Sequence, residues 1–181
     1  MLSLILLLPA ARPAVSPQRP GQPRIRVADL ERRIHEAINQ ERVSRKLPAL
    51  QADKKLSEIA RTHSADMARR SFFSHVNPDG QDPTARGDSA GYTCQKVYES
   101  YFTVGLAENI FQGNLYSRIL TRGTEKFYDW NTADKIAGES VTNWMNSPGH
   151  RRNILETTYK KTGIGVSISN DDKVFVTQLF C

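Results

Sequence analysis

Cysteine is nearly missing from this chain, with only Cys94 and the terminal Cys181 among 181 residues. Two thiols cannot build a cysteine metal cluster or a disulfide-dense mini-scaffold. Long apolar runs are also missing: nowhere do 18 apolar residues follow one another, so no segment reads as a spanning helix. The chain has no HExxH, no P-loop, no Rossmann glycine pattern, no complete EF-hand loop and no N-x-S/T sequon, which removes the commonest signatures of zinc peptidases, nucleotide binders and calcium sensors.

A length of 181 residues and a mass of 20.4 kDa make one domain with a tail. A chain of this size buries about 70% of its unfolded surface, enough for a full core. An apolar share of 39% and a mean hydropathy of -0.51 describe a globular chain. The net charge of +6 is local: residues 1–70 hold 14 basic and 7 acidic side chains. Most of these basic residues flank or sit on two helical segments where acids alternate with them, so they read as solvated helix surface rather than a nucleic-acid patch.

Residues 1–11 are a short apolar run ending in Pro9-Ala10-Ala11, the pattern of a signal peptide's core and cleavage region, although a basic start is missing. The run is a signal peptide or, at most, a short membrane anchor, since it is too short to cross a bilayer as a helix. Residues 12–28 carry Pro13, Pro17, Pro20 and Pro23 among Arg and Gln, a composition expected to form an extended linker. Residues 29–181 are then the domain. An even cysteine count behind a leader favours a Cys94 to Cys181 disulfide; two unrelated thiols are the alternative.

Residues 29–42 place Leu30, Ile34, Ala37 and Ile38 at helical spacing behind Asp29. A second helix is predicted over 53–70 with Leu56, Ile59, Ala60, His63 and Met67 in one arc, and a third over 132–146 with Ile136, Val141, Trp144 and Met145. Ser147-Pro148 then reads as N-cap and first residue of a short helix through Leu155. The carboxyl end changes to period two, and 163–169 with 173–180 predicts a hairpin. Residues 102–106 are a third strand, and 111–131 reads as a long irregular connection. Helices and then strands, without βαβ alternation, predict an α+β fold with an antiparallel sheet covered by helices.

Four histidines are separated by position. His35 lies on a polar helix face and is expected to be solvated; His63 sits in an apolar stripe and is expected to be a hydrogen-bonded core residue. His75, before the turn Asn77-Pro78-Asp79-Gly80, and His150, after Ser147-Pro148-Gly149, lie where loops display side chains. Two imidazoles with a carboxylate are the minimal set for a divalent metal or for acid-base work, while two separate surface histidines remain the bland reading. A literal G-x-S-x-G, Gly87 to Gly91 with Ser89 at its centre, lacks the preceding strand and following helix of a nucleophile elbow. A short helix ending with Gly91 as its C' residue explains the same letters.

Several stretches occur in a distinctive order: Leu47-Pro48-Ala49-Leu50, Ala60-Arg-Thr-His-Ser-Ala-Asp-Met-Ala68, Phe73-Ser-His-Val-Asn-Pro-Asp-Gly80, Ala90-Gly-Tyr92, Ala107-Glu-Asn-Ile110, Trp144-Met-Asn-Ser-Pro-Gly-His-Arg-Arg-Asn-Ile-Leu155, and Gly163-Ile-Gly-Val166 leading into Val176-Thr-Gln178. In them the chain from about residue 30 onward resembles the CAP superfamily (cysteine-rich secretory proteins, antigen 5, pathogenesis-related 1; SCP-like extracellular domains), in particular its secreted prokaryotic branch. The resemblance implies a three-layer α-β-α sandwich with a central antiparallel sheet. It implies that His75 and His150 converge in a cleft with Glu108 and hold a divalent metal there, zinc first. Where the eukaryotic branch has a second cleft acid, this chain has Ser147; Glu139 is a candidate substitute beside the reading of a plain surface Glu, and Asn153 either lines the cleft or caps its helix.

The implied function is a secreted or cell-envelope metal- and ligand-binding domain without established catalysis, monomeric, and taking lipid or cell-wall material. A peptidase-like hydrolase using the same cleft is the alternative. A lipid or sterol carrier is a further one, its groove lined by Phe111, Tyr116, Phe127, Tyr128 and Trp130 unless these are loop anchors.

Overall fold

Asp53, Thr132 and Asp82 each cap a helix as their side chains allow, accepting from the backbone N–H of Leu56, Lys135 and Ala85. In the computed structural model, which describes residues 19–97 and 99–181, the elements run α1 (Val27–Val43), β1 (Gln51–Ala52), α2 (Lys54–Arg70), α3 (Pro83–Ser89), β2 (Gln95–Val97), β3 (Phe102–Val104), β4 (Ala107–Asn114), β5 (Tyr116–Arg122), β6 (Glu125–Trp130), α4 (Ala133–Asn146), α5 (Pro148–Leu155), β7 (Lys161–Ile168) and β8 (Lys173–Phe180). The leader, residues 1–11, and the linker up to residue 18 lie outside the described residues. Helix α1 begins at Val27, inside the segment expected to be linker, and Arg26 caps it through its backbone alone.

The central sheet has the order β1-β7-β8-β4. The hairpin β7–β8 and the pair β4–β8 are antiparallel, and the two-residue β1 adds a parallel edge. Alternate residues face opposite layers. Val174, Val176 and Phe180 of β8 face α1, α4 and α5, forming the larger core with Leu30, Ile34 and Trp144. Leu179 packs instead against Leu56, Ile59 and Ala60 of α2. The predicted α-β-α sandwich is thus present. Two glycines of β7 let α2 lie directly on the sheet: a Cβ on Gly163 would sit 2.3 Å from the Leu56 carbonyl carbon, and one on Gly165 would sit 2.0 Å from the Arg61 nitrogen. The disulfide Cys94–Cys181 pins the chain end to the segment before β2.

Three expectations are corrected. The third strand of the sheet is β4, residues 107–114, whereas 102–104 pairs with 95–97 in a separate exposed hairpin. The stretch 111–131 is not irregular: it finishes β4 and forms the hairpin β5–β6, a bulge between Tyr116 and Arg118 interrupting its register. Within it Phe111 and Trp130 pack on the larger core, and Tyr116, Tyr128 and Trp130 pack on one another. His35 is half-buried rather than solvated, because the connection after α1 folds back and sets the Leu50 carbonyl 3.1 Å from its ring nitrogen. The short helix in place of a nucleophile elbow is present: α3 ends at Ser89, and Gly91 takes φ 70° after it.

Candidate functional site

Strand β4 has neighbours of different kinds on its two faces. Glu108 and Ile110 face α2 and α3, while Asn109 and Phe111 face α4 and α5. Because β4 ends the sheet, groups from both layers meet around its free edge. That edge is blunted against strand addition. Asn153 donates to the Glu108 carbonyl (3.2 Å), the Trp144 indole to that of Ile110 (2.8 Å) and Asn131 to that of Asn114 (3.0 Å).

His75 arrives from the α2 side. Ser71, in the left-handed region at φ 55°, ends α2, and the Asn77 side chain then fixes the turn by accepting from the N–H groups of Asp79 and Gln81. The buried His63 ring donates from Nε2 to the Ser74 carbonyl at 3.0 Å, holding the residue just before His75. Arg86, itself buried, donates to the carbonyls of His75 (2.7 Å) and Gln81 (2.9 Å) and to Glu108 Oε2 (2.5 Å). The other Glu108 oxygen accepts from His75 Nδ1 at 2.8 Å. That bond fixes the tautomer, leaving His75 Nε2 as the nitrogen with a free lone pair on a ring that is 47% exposed.

His150 comes from the other layer, two residues into α5. Asn109 donates to its carbonyl at 3.2 Å and accepts from Asn153 at 2.9 Å. A buried polar chain continues from Asn109 to Gln178 and on to Thr162, so the His150 backbone is tied to the middle of the sheet. The two rings lie with centroids 6.3 Å apart and planes 53° inclined. Burial first, and the neighbouring His75 second, push the His150 imidazole below the usual histidine range and favour its neutral form. Burial does the same to His63, against the pull of Glu108.

Of the residues singled out in the sequence, His75, His150, Glu108 and Asn153 are brought together. Asn153 ties α5 to β4, and its side chain does not cap α5. Glu139 is exposed on α4, and its described contact is a carbonyl bond within that helix. Arg86, His63, Asn109 and Gln178 belong to the site's support and were not singled out for it. His63 gave a signal, since a histidine in an apolar stripe demands a partner; Arg86 gave none, its partner being 22 residues away.

The donor set decides what could be held. Both Glu108 oxygens are engaged on a side chain of zero exposure, so two imidazoles are the protein's contribution. Among the described residues no group of three or more His, Cys, Asp or Glu side chains is arranged to hold a metal ion. Two imidazoles on one tetrahedral ion, with metal–nitrogen bonds of about 2.0–2.1 Å, have ring centres about 5.2 Å apart, so rings now 6.3 Å apart would share a cation, completed by other ligands, after closing by about 1 Å. A cavity of about 170 Å³ is lined by Phe72, Phe73, Gln112 and Phe175, among others, and by none of the residues of the histidine cleft.

Comparison with known proteins gives residues 35–180 a match to the cysteine-rich secretory protein family, CAP. The "Uncharacterized protein YkwD" of Bacillus subtilis (strain 168) is 33% identical over 139 residues, covering 77% of this chain and 43% of that protein. The structure of an extracellular protein containing a SCP domain from Bacillus anthracis superposes with a TM-score of 0.60 at 23% identity, covering 92% of this chain and 44% of the other. NaASP2, crystallised with Zn2+, superposes with a TM-score of 0.53 at 13% identity, covering 88% and 83%. The chain spans less than half the length of the first two. Both structural likenesses concern the fold. Among the described residues no helix is long and apolar enough to cross a membrane.

Proposed function

The chain belongs to the cysteine-rich secretory protein family, and from that premise we propose that it is a secreted or envelope-exposed domain whose His75–His150 cleft binds a divalent cation, zinc first, together with a ligand from lipid or cell-wall material. The observation that carries this reading is the pair of imidazoles 6.3 Å apart with the Nδ1 of His75 donating to Glu108. A carboxylate behind a histidine is the arrangement that orients and strengthens an imidazole ligand. Neutral His150 supplies the second donor, and the zinc in the NaASP2 crystal is in keeping with it. When bound, the ion would offer open coordination positions to an oxygen of the ligand. With only two protein donors, the affinity is modest.

Hydrolysis fits less well. Glu108 would have to take a proton from water, yet its side chain is shut off from solvent and both its oxygens already accept hydrogen bonds. A lipid carrier fits less well again, since Tyr116, Tyr128 and Trp130 pack on one another, and the cavity lined by Phe72, Phe73 and Phe175 falls below the about 300 Å³ at which small-molecule pockets begin.

The reading is tested by thermal unfolding with zinc. At a hundred times the dissociation constant a native-state ligand adds about 2.7 kcal/mol, or about 5–10 °C for a domain of this size. The wild type is expected to show this rise and His75→Ala and His150→Ala to lose it. No shift at millimolar zinc, or equal shifts in all three proteins, contradicts the proposal.

A further inference from the structure

The β5–β6 hairpin carries an aromatic cluster that shares no residue with the histidine cleft. Tyr128 and Trp130 stack at 4.7 Å between ring centroids, and Tyr116 meets both edge-on. Beside them, in the turn between β7 and β8, lies Asp172, only 6% exposed and at φ 63°. Its backbone carbonyl accepts from Leu115, which locks the turn to the β4–β5 connection. A carboxylate so withdrawn from water needs a partner to offset its desolvation.

Among the described residues the partners of that carboxylate come from one short segment. Arg19 pairs with one oxygen, and Gln22 donates to the other at 3.2 Å. The Arg19 guanidinium lies 5.0 Å above the centre of the Tyr128 ring, a cation–π position. The Trp130 indole N–H donates to the Pro20 carbonyl at 3.2 Å. The segment is a closed turn: Gln22 N–H donates to the Arg19 carbonyl at 3.0 Å, and Arg19 N–H to the Gln22 side chain at 2.9 Å. Proline followed by a glycine at φ 73° is the sequence of a type II turn, and Gly21 passes where an added Cβ would meet the Trp130 ring at 3.7 Å.

We propose that Tyr116, Tyr128, Trp130 and Asp172 form a binding site for an arginine–proline–glycine turn, filled in this structure by the chain's own Arg19–Gln22. Each component of the turn has a matching element: the buried carboxylate and Tyr128 face select the arginine, the indole donor reads the proline's carbonyl, and the left-handed backbone at residue 21, lying alongside the Trp130 ring, calls for glycine. Aromatic faces with an indole donor are how proline-containing peptides are commonly held. The sequence contains a second Arg-Pro pair, Arg12-Pro13, but it is followed by alanine and lacks the glycine this turn requires. Occupied in cis, the site fastens the segment leading into α1 onto the hairpin arm.

The test uses the full chain carrying Arg19→Ala and Gln22→Ala, with acrylamide quenching of tryptophan fluorescence as the readout. Trp144, 1% exposed, stays silent, so quenching reports Trp130. The double variant is expected to be quenched more than wild type. A synthetic peptide of residues 17–24 is expected to reverse this saturably, and the same peptide with Arg19→Ala to bind at least about tenfold more weakly. Wild type, its site filled, is expected not to respond at the same peptide concentrations. Asp172→Asn leaves the segment's sequence intact, so it is expected to raise quenching with no reversal by peptide. Quenching unchanged from wild type in both variants, or a peptide that protects equally without its arginine, overturns the proposal.

Discussion

Replacing Arg86 by methionine strips Glu108 of the one cationic partner of fixed charge it has among the described residues, while keeping much of the side-chain volume. The pair is buried on both sides, with side-chain exposures of 6% and 0%. Breaking a buried pair from one side costs about 3–5 kcal/mol, chiefly the penalty of an uncompensated charge. For a domain of this size that is a fall in melting temperature of about 6–20 °C. The loop 75–81 loses two further bonds, those Arg86 makes to the carbonyls of His75 and Gln81. Denaturant unfolding of wild type, Arg86→Met, Glu108→Gln and the double variant closes a thermodynamic cycle. The double variant is expected to be more stable than Arg86→Met, because glutamine removes the charge that methionine leaves stranded. A loss below about 1 kcal/mol for Arg86→Met, or strictly additive losses, would refute the claim that this pair is the base on which His75 is set.

Two other expectations concern the packing and titration around the site. Gly165→Ala places a methyl against the backbone of Arg61 and Ala60, which cannot move aside as a side chain would. A loss of about 3 kcal/mol or more in denaturant unfolding is expected, and a loss under about 1 kcal/mol would show α2 to lie farther from the sheet. His63 and His150 are both held below the ordinary 6.5 by burial, so the unfolded chain binds their protons more readily than the folded one. Their contribution is therefore intact above about pH 6.5 and declines as pH falls through the interval down to their folded-state values. Unfolding midpoints that stay flat from pH 7 to 5, or no smaller a decline in His63→Asn, would contradict this.

Much of the fold was legible because the helices bury one stripe each, β7 alternates glycine and serine with branched residues, and β8 is a β-branched and aromatic run buried on both faces. Leu56, Ile59, Ala60, His63 and Met67 share a face, and all are buried on α2. Strand β4 escaped because it carries polar residues inward on both faces: Glu108 and Asn109 are buried for the site's sake, so Ala-Glu-Asn-Ile shows neither period. The β5–β6 arm escaped because it stands away from the sheet, leaving Ile119, Leu120 and Phe127 at least one-third exposed and removing the alternation that burial imposes. His75 and His150 were legible as displayed residues, and Glu108 only through the resemblance. Arg86 was hidden beside the Gly87–Gly91 serine pattern, and nothing local to the sequence marks a guanidinium that serves a carboxylate in another element.

The proposed cleft needs two imidazoles from opposite layers to act on one ion. Its most direct test follows the ring resonances of all four histidines by NMR during a zinc titration. The signals of His75 and His150 are expected to move together and saturate at one zinc per chain, while those of His35 and His63 stay in place. Movement of one ring without the other, or saturation of the two at different zinc levels, would mean that they do not share a cation.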